Sequence, residues 1–387
     1  MGSGLLQAAQ AQSDWQLQNT LQTGVDAWRV EHSAFDKTSR DNMYLADSET
    51  RWTYRPLSPW YTLQSQLDWG PHDQVVLLAR ANQVTGASLD QLYYSHAISP
   101  YLGFRAGVAD FRSTWCREYD LDNPWIRESD PFCTNYRIKQ PFASAPALQV
   151  YVNLDWGDYQ VQGIAGIFRP RALGYAPREF GTALLPPHVS ITQNHKQGLS
   201  LNVLNKASST EWRLSWMGLD QGLFDPQASL SFPEYAAGTQ LNYRQKADTF
   251  FAGVSWQLSP RLRSRLTHMH NDLKAHCELL TPQAAPACVT RVGKKSTVLE
   301  LNYQPGAADT VSLAVLKFPF SQSQVYKKTN QSVSTSWRRD WDKHWFTALQ
   351  WSLSRATVFY NDDFSTVSYL PGTITAWATG LRLGYKW

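Results

Sequence analysis

The sequence has no long apolar run, and this absence removes one class of membrane protein. None of its 387 residues lies in a stretch that approaches the roughly 18 uninterrupted apolar residues of a transmembrane helix. The mean hydropathy of −0.42 is that of a polar chain. Runs of Lys and Arg are also missing, and the net charge of +4 indicates no nucleic-acid partner. We therefore exclude a helical membrane protein and a nucleic-acid-binding protein.

Methionine and cysteine are scarce, whereas aromatic residues are abundant. Four Met stand beside 17 Trp and 18 Tyr. A soluble core would use more Leu, Ile and Met, but the aromatic girdles of a membrane barrel consume Trp and Tyr. The four Cys allow three pairings, of which Cys116 with Cys133 and Cys277 with Cys288 need the least chain rearrangement. Two such disulfides predict an oxidising compartment outside the cytoplasm.

Catalytic and metal-binding motifs are absent as well. The sequence contains no glycine-rich phosphate loop, nucleophile elbow or paired-metal signature. Ser264 and His268 could be the nucleophile and base of a hydrolase, but the case is weak. Alternation puts both on a lipid-facing side, and no acidic or amide residue is visible as the third member of a triad. His268, His270 and His276 are close enough in sequence to be metal ligands, but no carboxylate completes an obvious set of ligands. We predict no enzyme, no cofactor and no metal site.

The first residues suggest a processed start. Met1-Gly2-Ser3-Gly4 reads as an added beginning, and Ala9-Gln10-Ala11 has the small-x-small form of a signal-peptidase site. An ordinary Ala-rich start is the alternative. We expect residues 1–11 to be a leader remnant and residues 12–387 to form one domain.

What the sequence does have is a repeating hairpin. In 148–154 and 159–167, apolar residues alternate with Gln, Asn, Tyr and Gly, and the turn Asp155-Trp156-Gly157-Asp158 joins the two segments. Similar turns recur near 70–73, 98–100, 206–209, 258–260, 305–309 and 340–343, and long polar connections separate the pairs. Short turns at one end and long loops at the other are typical of outer-membrane barrels.

Sixteen strands are predicted. They lie near 15–32, 60–69, 74–84, 90–97, 101–112, 147–155, 159–168, 197–205, 210–218, 248–257, 260–270, 296–304, 310–318, 332–339, 345–356 and 373–387. The segment Thr239 to Ala247 either extends a strand above the membrane or forms an extra hairpin that raises the count to eighteen. The predicted fold is an all-β, antiparallel, up-and-down transmembrane barrel.

The last segment carries the most specific motif. One face holds Trp377, Thr379, Leu381, Leu383, Tyr385 and the terminal Trp387, and the other holds small and cationic residues. This pattern resembles the C-terminal signal of outer-membrane barrels, which the barrel-assembly machinery reads. The apolar stripe would face lipid, with Trp387 at the periplasmic interface.

Alternation also predicts a cationic inner wall. Residues out of phase with the lipid-facing apolar ones must point inward, because an arginine near the membrane midplane costs about 2–4 kcal/mol on the lipid face. The predicted wall consists of Arg105, Arg213, Arg261, Arg263, Arg265 and Arg382. A cationic lumen would favour anions, unless carboxylates neutralise it.

In architecture the chain resembles the Gram-negative porins. The resemblance implies that the third loop, here 113–146, folds into the pore and presents acidic groups opposite the arginines. Those groups would be Asp120, Asp122, Glu128 and Asp130, and a Cys116–Cys133 bridge would staple the loop, a gain of roughly 3 kcal/mol in the chain-entropy model. A surface loop that the bridge merely protects is the alternative. Relatives are commonly trimers, although the sequence shows no subunit interface.

These observations predict an outer-membrane porin for passive diffusion of small polar, anionic solutes. Its other partners would be outer-membrane lipid, lipopolysaccharide and the barrel-assembly machinery. Two alternatives remain open: a structural or partner-binding barrel with a plugged lumen, and an outer-membrane hydrolase.

Overall fold

The chain forms a closed barrel in which each strand pairs antiparallel with its neighbours in sequence, and β1 pairs with β16. The structure, a computed structural model, describes residues 15–32, 54–82, 86–109, 115, 145–168, 188–231, 236–280, 288–322, 326–360 and 372–387. The predicted fold class and the count of sixteen strands are confirmed.

The strands are β1 (Trp15–His32), β2 (Tyr54–Trp69), β3 (Asp73–Asn82), β4 (Gly86–Ala97), β5 (Leu102–Ala109), β6 (Ala145–Trp156), β7 (Tyr159–Phe168), β8 (Ser190–Asn205), β9 (Thr210–Asp225), β10 (Gln240–Ser259), β11 (Leu262–Leu280), β12 (Cys288–Tyr303), β13 (Asp309–Gln322), β14 (Tyr326–Asp340), β15 (Trp345–Tyr360) and β16 (Gly372–Lys386). One short helix, α1 (Ala228–Ser231), lies between β9 and β10. Among the described residues, no helix is long and apolar enough to cross a membrane.

The ambiguous segment Thr239 to Ala247 belongs almost wholly to β10. β10 has 20 residues and β11 has 19, and they pair in register from Gln240 with Leu280 down to the turn. The segment therefore extends a strand, as the first alternative expected, and forms no extra hairpin.

Strict alternation separates the two faces of the wall. On β6, Leu148 and Val150 are 52% and 49% exposed, whereas Gln149 and Tyr151 between and after them are 0% and 8% exposed. The same contrast recurs on other strands, so the outer surface carries exposed apolar rows. The inner surface carries many polar and small residues, together with aromatic rings and a buried apolar patch on β10 to β13. A closed barrel that exposes an apolar exterior satisfies its backbone internally and suits a lipid surrounding.

Aromatic residues collect at the end of the barrel that carries the short turns. The ring of Tyr385 contacts Trp345 and Trp387, with 4.7 Å between ring centroids in each case. Leu381, Leu383 and Trp387 are all exposed on the outer face, as the terminal stripe predicted. This arrangement matches an interfacial girdle at the turn end.

Candidate functional site

The candidate site is the inner wall of the barrel, and four of the six predicted arginines that line it have moderate or little exposure. Arg105 lies on β5, Arg213 on β9, Arg265 on β11 and Arg382 on β16. For the last three arginines, the neighbouring Leu214, Leu266, Leu381 and Leu383 are exposed on the outer face, which fixes their inward direction. Arg105 points inward because its register partner is Gln149, which is 0% exposed. Arg263 has the same phase on β11 and is exposed.

Arg261 does not lie on the strand where alternation placed it. It occupies the turn before β11, is exposed, and donates from Nη1 to the Pro305 carbonyl at 3.4 Å. The predicted strand began at residue 260, whereas β11 begins at Leu262, so the turn includes Arg261. Arg261 therefore belongs to the turn end of the barrel.

Three of the wall arginines have carboxylate partners. Arg382 Nε and Nη2 donate to the two carboxylate oxygens of Asp26, each at 2.7 Å. Arg213 Nε donates to Glu211 at 2.7 Å. These pairs cancel much of the positive charge that a count of arginines alone would assign to the lumen.

The third pair lies deepest in the wall. Arg265 Nη1 lies 3.3 Å from Glu300 Oε2, and their side chains are 7% and 0% exposed. A carboxylate so buried needs a cation close by, because an isolated charge in this setting is strongly destabilising. Arg265 and Glu300 thus act as a neutral unit within the wall.

Arg105 has a different environment. Its guanidinium lies over the rings of Tyr93 and Tyr151, at 5.3 Å and 4.9 Å from their centroids. In the part of the chain that the structure describes, no carboxylate or other hydrogen-bond acceptor pairs with it, and its Nε is buried without a partner. Arg263 likewise has no carboxylate partner among the described residues, and its Nε donates at 3.2 Å to the neutral Gln257 amide.

Aromatic side chains lie flat against inward-facing glycines. An added Cβ at Gly24 would meet Trp60, at Gly103 it would meet Tyr151, and at Gly384 it would meet Phe346. In each case the glycine and the aromatic residue are register partners on neighbouring strands. The missing Cβ lets the ring lie across the neighbouring strand.

A cation lies over each of these three rings. Arg382 lies 4.8 Å from the Trp60 centroid, Arg105 lies 4.9 Å from Tyr151, and Arg338 lies 4.6 Å from Phe346. We call this arrangement the glycine–aromatic–cation stack. The sequence prediction missed the stacks and Arg338, although an inward glycine opposite an inward aromatic residue is visible once the register is known.

Of the residues 113–144 in the third loop, the structure describes Trp115, and this residue lies inside the barrel. Trp115 is 1% exposed and packs in a buried apolar cluster with Phe251, Met269, Val298, Ala314 and Leu316 of β10 to β13. Arg213 lies over its ring at 4.8 Å, and an added Cβ at Gly253 would overlap it. At this point the loop therefore contacts the inner wall.

Several predicted residues lie outside the described part of the chain. They are Asp120, Asp122, Glu128, Asp130, Cys116 and Cys133. For Cys277 and Cys288 the structure describes the backbone, and the two residues are register partners at the far end of β11 and β12. The side chains of Cys277 and Cys288 lie outside the described part of the chain, so both disulfides stay predictions.

The alternative catalytic and metal sites find little support in the described geometry. Ser264 donates to the Glu300 carbonyl at 3.3 Å, and His268 Nδ1 lies 2.9 Å from Thr297 Oγ1. Neither contact joins Ser264 to His268. Among the described residues, no group of three His, Cys, Asp or Glu side chains could hold a metal ion.

Comparison with solved structures reveals barrels of the same kind. The outer membrane channel DcaP of Acinetobacter baumannii aligns with a TM-score of 0.56 and 11% identity, over 96% of this chain and 97% of that one. The anion-selective porin from Comamonas acidovorans aligns with a TM-score of 0.52 and 9% identity, over 96% and 100%. The chain has the fold of an outer-membrane porin. The porin-like barrel also resembles OmpT of Vibrio cholerae, with a TM-score of 0.52, 8% identity and coverage of 96% and 98%.

At these identities the likeness concerns the fold alone. No protein-family model and no curated protein matches the chain. The inner wall must therefore be interpreted from its own residues.

Proposed function

We propose that this porin-like barrel resides in the bacterial outer membrane and lets small polar solutes, preferentially anions, diffuse through a water-filled lumen. The observation that carries the proposal is Arg105, an inward-facing cation without a carboxylate partner among the described residues. A fixed charge of this kind raises the local concentration of anions. No catalytic residue or cofactor has a part in this function.

The proposal refines the role of the predicted cationic wall. Arg213, Arg265 and Arg382 are neutralised by Glu211, Glu300 and Asp26, and they contribute mainly to the shape of the wall. Arg105 and Arg263 then supply most of the fixed charge that an anion meets. We expect the anion preference to be weak, because few cations remain uncompensated.

The third loop is proposed to narrow the lumen. Trp115 fixes its beginning to the wall of β10 to β13, which supports a loop that stays inside the barrel. In this proposal Asp120, Asp122, Glu128 and Asp130 set the aperture and meet the cationic side of the wall. A homotrimer, and recognition of Leu381, Leu383, Tyr385 and Trp387 by the barrel-assembly machinery, are part of the same proposal.

A measurement of single-channel conductance in a planar bilayer tests the function. We expect steady ohmic current from the refolded protein, with a reversal potential in a salt gradient that reports an anion preference. A folded barrel that never conducts would contradict the proposal.

That second outcome would favour the plugged structural barrel. Trp115 gives this alternative a specific basis, because it already covers part of the inner wall. Conductance that appears when part of 116–144 is removed would identify the third loop as the plug.

A further inference from the structure

Asp68, near the turn end of β2, is an inward-facing carboxylate without a cation beside it. Its sequence neighbour Leu67 is the register partner of Leu17, which is 61% exposed on the outer face, so Asp68 points into the lumen. The amide of Gln66 donates to Asp68 Oδ2 at 3.0 Å, and the amide of Gln74 donates to Asp68 Oδ1 at 2.8 Å. Among the described residues no cation pairs with Asp68, unlike the carboxylates that neutralise three of the wall arginines.

Asp68 and Arg105 belong to one row across four neighbouring strands. Asp68 is the register partner of Gln74 on β3. Gln74 is in turn the partner of Ser95 on β4, and Ser95 is the partner of Arg105 on β5. We call these four residues the Asp68–Arg105 row. Its two ends carry opposite charges, and the two residues between them are neutral hydrogen-bonding groups.

The spacing of the two charges keeps them from neutralising each other. Neighbouring strands lie about 4.8 Å apart, so the three intervals of the row separate Asp68 from Arg105 by about 14 Å along the wall. This distance exceeds the screening length of roughly 8 Å at physiological ionic strength. Aromatic rings hold Arg105 and amides hold Asp68, and neither environment removes the charge. Both charges are therefore positioned and available to a solute.

A solute that matches the row carries a carboxylate at one end and an ammonium group at the other. An extended peptide covers about 3.5 Å per residue, so the charged termini of a dipeptide or tripeptide lie about 7–10 Å apart. A charge-assisted hydrogen bond of about 2.8 Å at each end brings the span to about 13–16 Å, which fits the row. A single amino acid is too short to reach both ends.

We propose that the Asp68–Arg105 row binds zwitterionic peptides of two or three residues. The peptide carboxylate contacts Arg105, and the peptide ammonium group contacts Asp68. The side-chain oxygen of Gln74 accepts no hydrogen bond within the described ranges, and it can accept one from a peptide N–H between the two ends. The proposal names a solute class for the channel proposed above and rests on that function.

Binding of triglycine to the purified barrel in detergent tests the proposal, with saturation-transfer NMR over a range of peptide concentrations. In Asp68→Asn the ammonium group loses its ionic partner. We expect triglycine to bind this variant about fivefold more weakly, the factor for one close charge pair in water. Asn keeps an acceptor oxygen for the neighbouring amides, so the local wall should be preserved.

The matched control is Asp155→Asn. It removes the same charge at the turn end of β6, where Asp155 pairs with Lys206 outside the row. Triglycine should bind this variant as tightly as it binds the wild type. An equal loss of affinity in Asp155→Asn would overturn the proposal, because it would reflect net charge and not the row.

A blocked peptide examines the ammonium end directly. N-acetyltriglycine keeps the carboxylate and lacks the ammonium group, so we expect it to bind the wild type about fivefold more weakly than triglycine does. Its affinity for Asp68→Asn should equal its affinity for the wild type. Equal affinity of the wild type for the two peptides, or binding of glycine as tight as that of triglycine, would overturn the proposal.

Conduction is measured separately, because the binding measurement needs no bilayer. A barrel that binds triglycine as expected and never conducts would contradict the channel function alone. A barrel that conducts and fails the peptide test would contradict the Asp68–Arg105 site alone.

Discussion

In the proposed channel, a single residue, Arg105, would supply much of the fixed charge of the lumen. Its neighbours Tyr93 and Tyr151 hold the guanidinium by their ring faces, an interaction that leaves the charge in place. A carboxylate partner would hold the group equally well but would cancel its field. The aromatic environment therefore keeps a cation both positioned and available.

Replacement of Arg105 by Gln tests this role. We expect the anion-to-cation permeability ratio to fall by up to about fivefold, the factor that corresponds to the roughly 1 kcal/mol between close charges in water. The measurement is the reversal potential across a bilayer in a salt gradient.

The matched control is Asp26→Asn/Arg382→Gln, which removes a neutral pair and should leave the ratio nearly unchanged. A larger change in the control than in Arg105→Gln would show that the paired arginines carry the selectivity.

Inward direction could be predicted from the sequence for Arg105, Arg213, Arg265 and Arg382, because a period of two needs only local information. Their partners could not. Asp26 and Arg382 are 356 residues apart, and they meet because the closing register places them opposite each other. Charge balance in the lumen therefore depends on the register, which the alternation of a single strand does not contain.

At the scale of elements, strands were predicted best where one face meets lipid. The prediction for β7 coincides with Tyr159–Phe168, whereas β10 and β11 were predicted much too short. Their far halves lie beyond the apolar belt and are polar on the outer face, so hydrophobic alternation fades although the backbone pairing continues. Strand ends outside the membrane thus escape a hydrophobic criterion.

The far end of the β11–β12 hairpin offers a test of the second predicted disulfide. Cys277 and Cys288 are register partners, and residues opposite each other on antiparallel strands have Cα atoms about 4.5–5.5 Å apart, within the disulfide range. We expect mass spectrometry without reductant to show a Cys277–Cys288 linked peptide. Free thiols at both positions in protein exported through an oxidising compartment would contradict this.

A carboxylate supports the turn between β14 and β15, beside the backbone hydrogen bond from Trp341 N–H to the Trp345 carbonyl. Asp342 Oδ1 accepts hydrogen bonds from the backbone N–H groups of Trp345 and His344, at 2.7 Å and 2.6 Å. These two bonds favour the charged form and lower the pKa of Asp342 below its ordinary value of 3.8. The support they give to the turn is therefore complete above about pH 4 and fades as the pH falls through the lowered pKa.

Replacement of Asp342 by Ala should loosen this turn. We expect several-fold faster hydrogen exchange at the amides of His344 and Trp345 near neutral pH, because both lose their acceptor. Asp342→Asn keeps an acceptor oxygen and should exchange more slowly than the Ala variant. Equal exchange in all three proteins would show that the carboxylate does not hold the turn.

Across the whole molecule, the junction of β1 and β16 is the least local contact. Gly24 and Gly384 are register partners there, and each is covered from the neighbouring strand, Gly24 by Trp60 and Gly384 by Phe346. The two rings lie 6.3 Å apart between centroids. Four strands, β2, β1, β16 and β15, are thus joined from the inside.

An added methyl group at this junction should destabilise the barrel. In Gly384→Ala the Cβ would overlap the Phe346 ring, which is buried, and we expect a loss of about 1–3 kcal/mol in unfolding free energy. The control Gly163→Ala adds the same group where no atom lies within 4 Å. Urea unfolding followed by tryptophan fluorescence makes the comparison, and equal midpoints would contradict the packing role.

The same junction bears on how the chain reaches its fold. Closing it brings together segments from the two ends of the sequence, and the entropy of such closure rises with the length of chain between them. Hairpins made of consecutive strands can form before this step, leaving an open sheet whose β1 and β16 edges carry unpaired backbone groups. Such edges invite pairing with a second copy. The rings of Trp60 and Phe346, together with the Asp26–Arg382 pair, stabilise the closed barrel relative to this open sheet and so lower the equilibrium population of an aggregation-prone form.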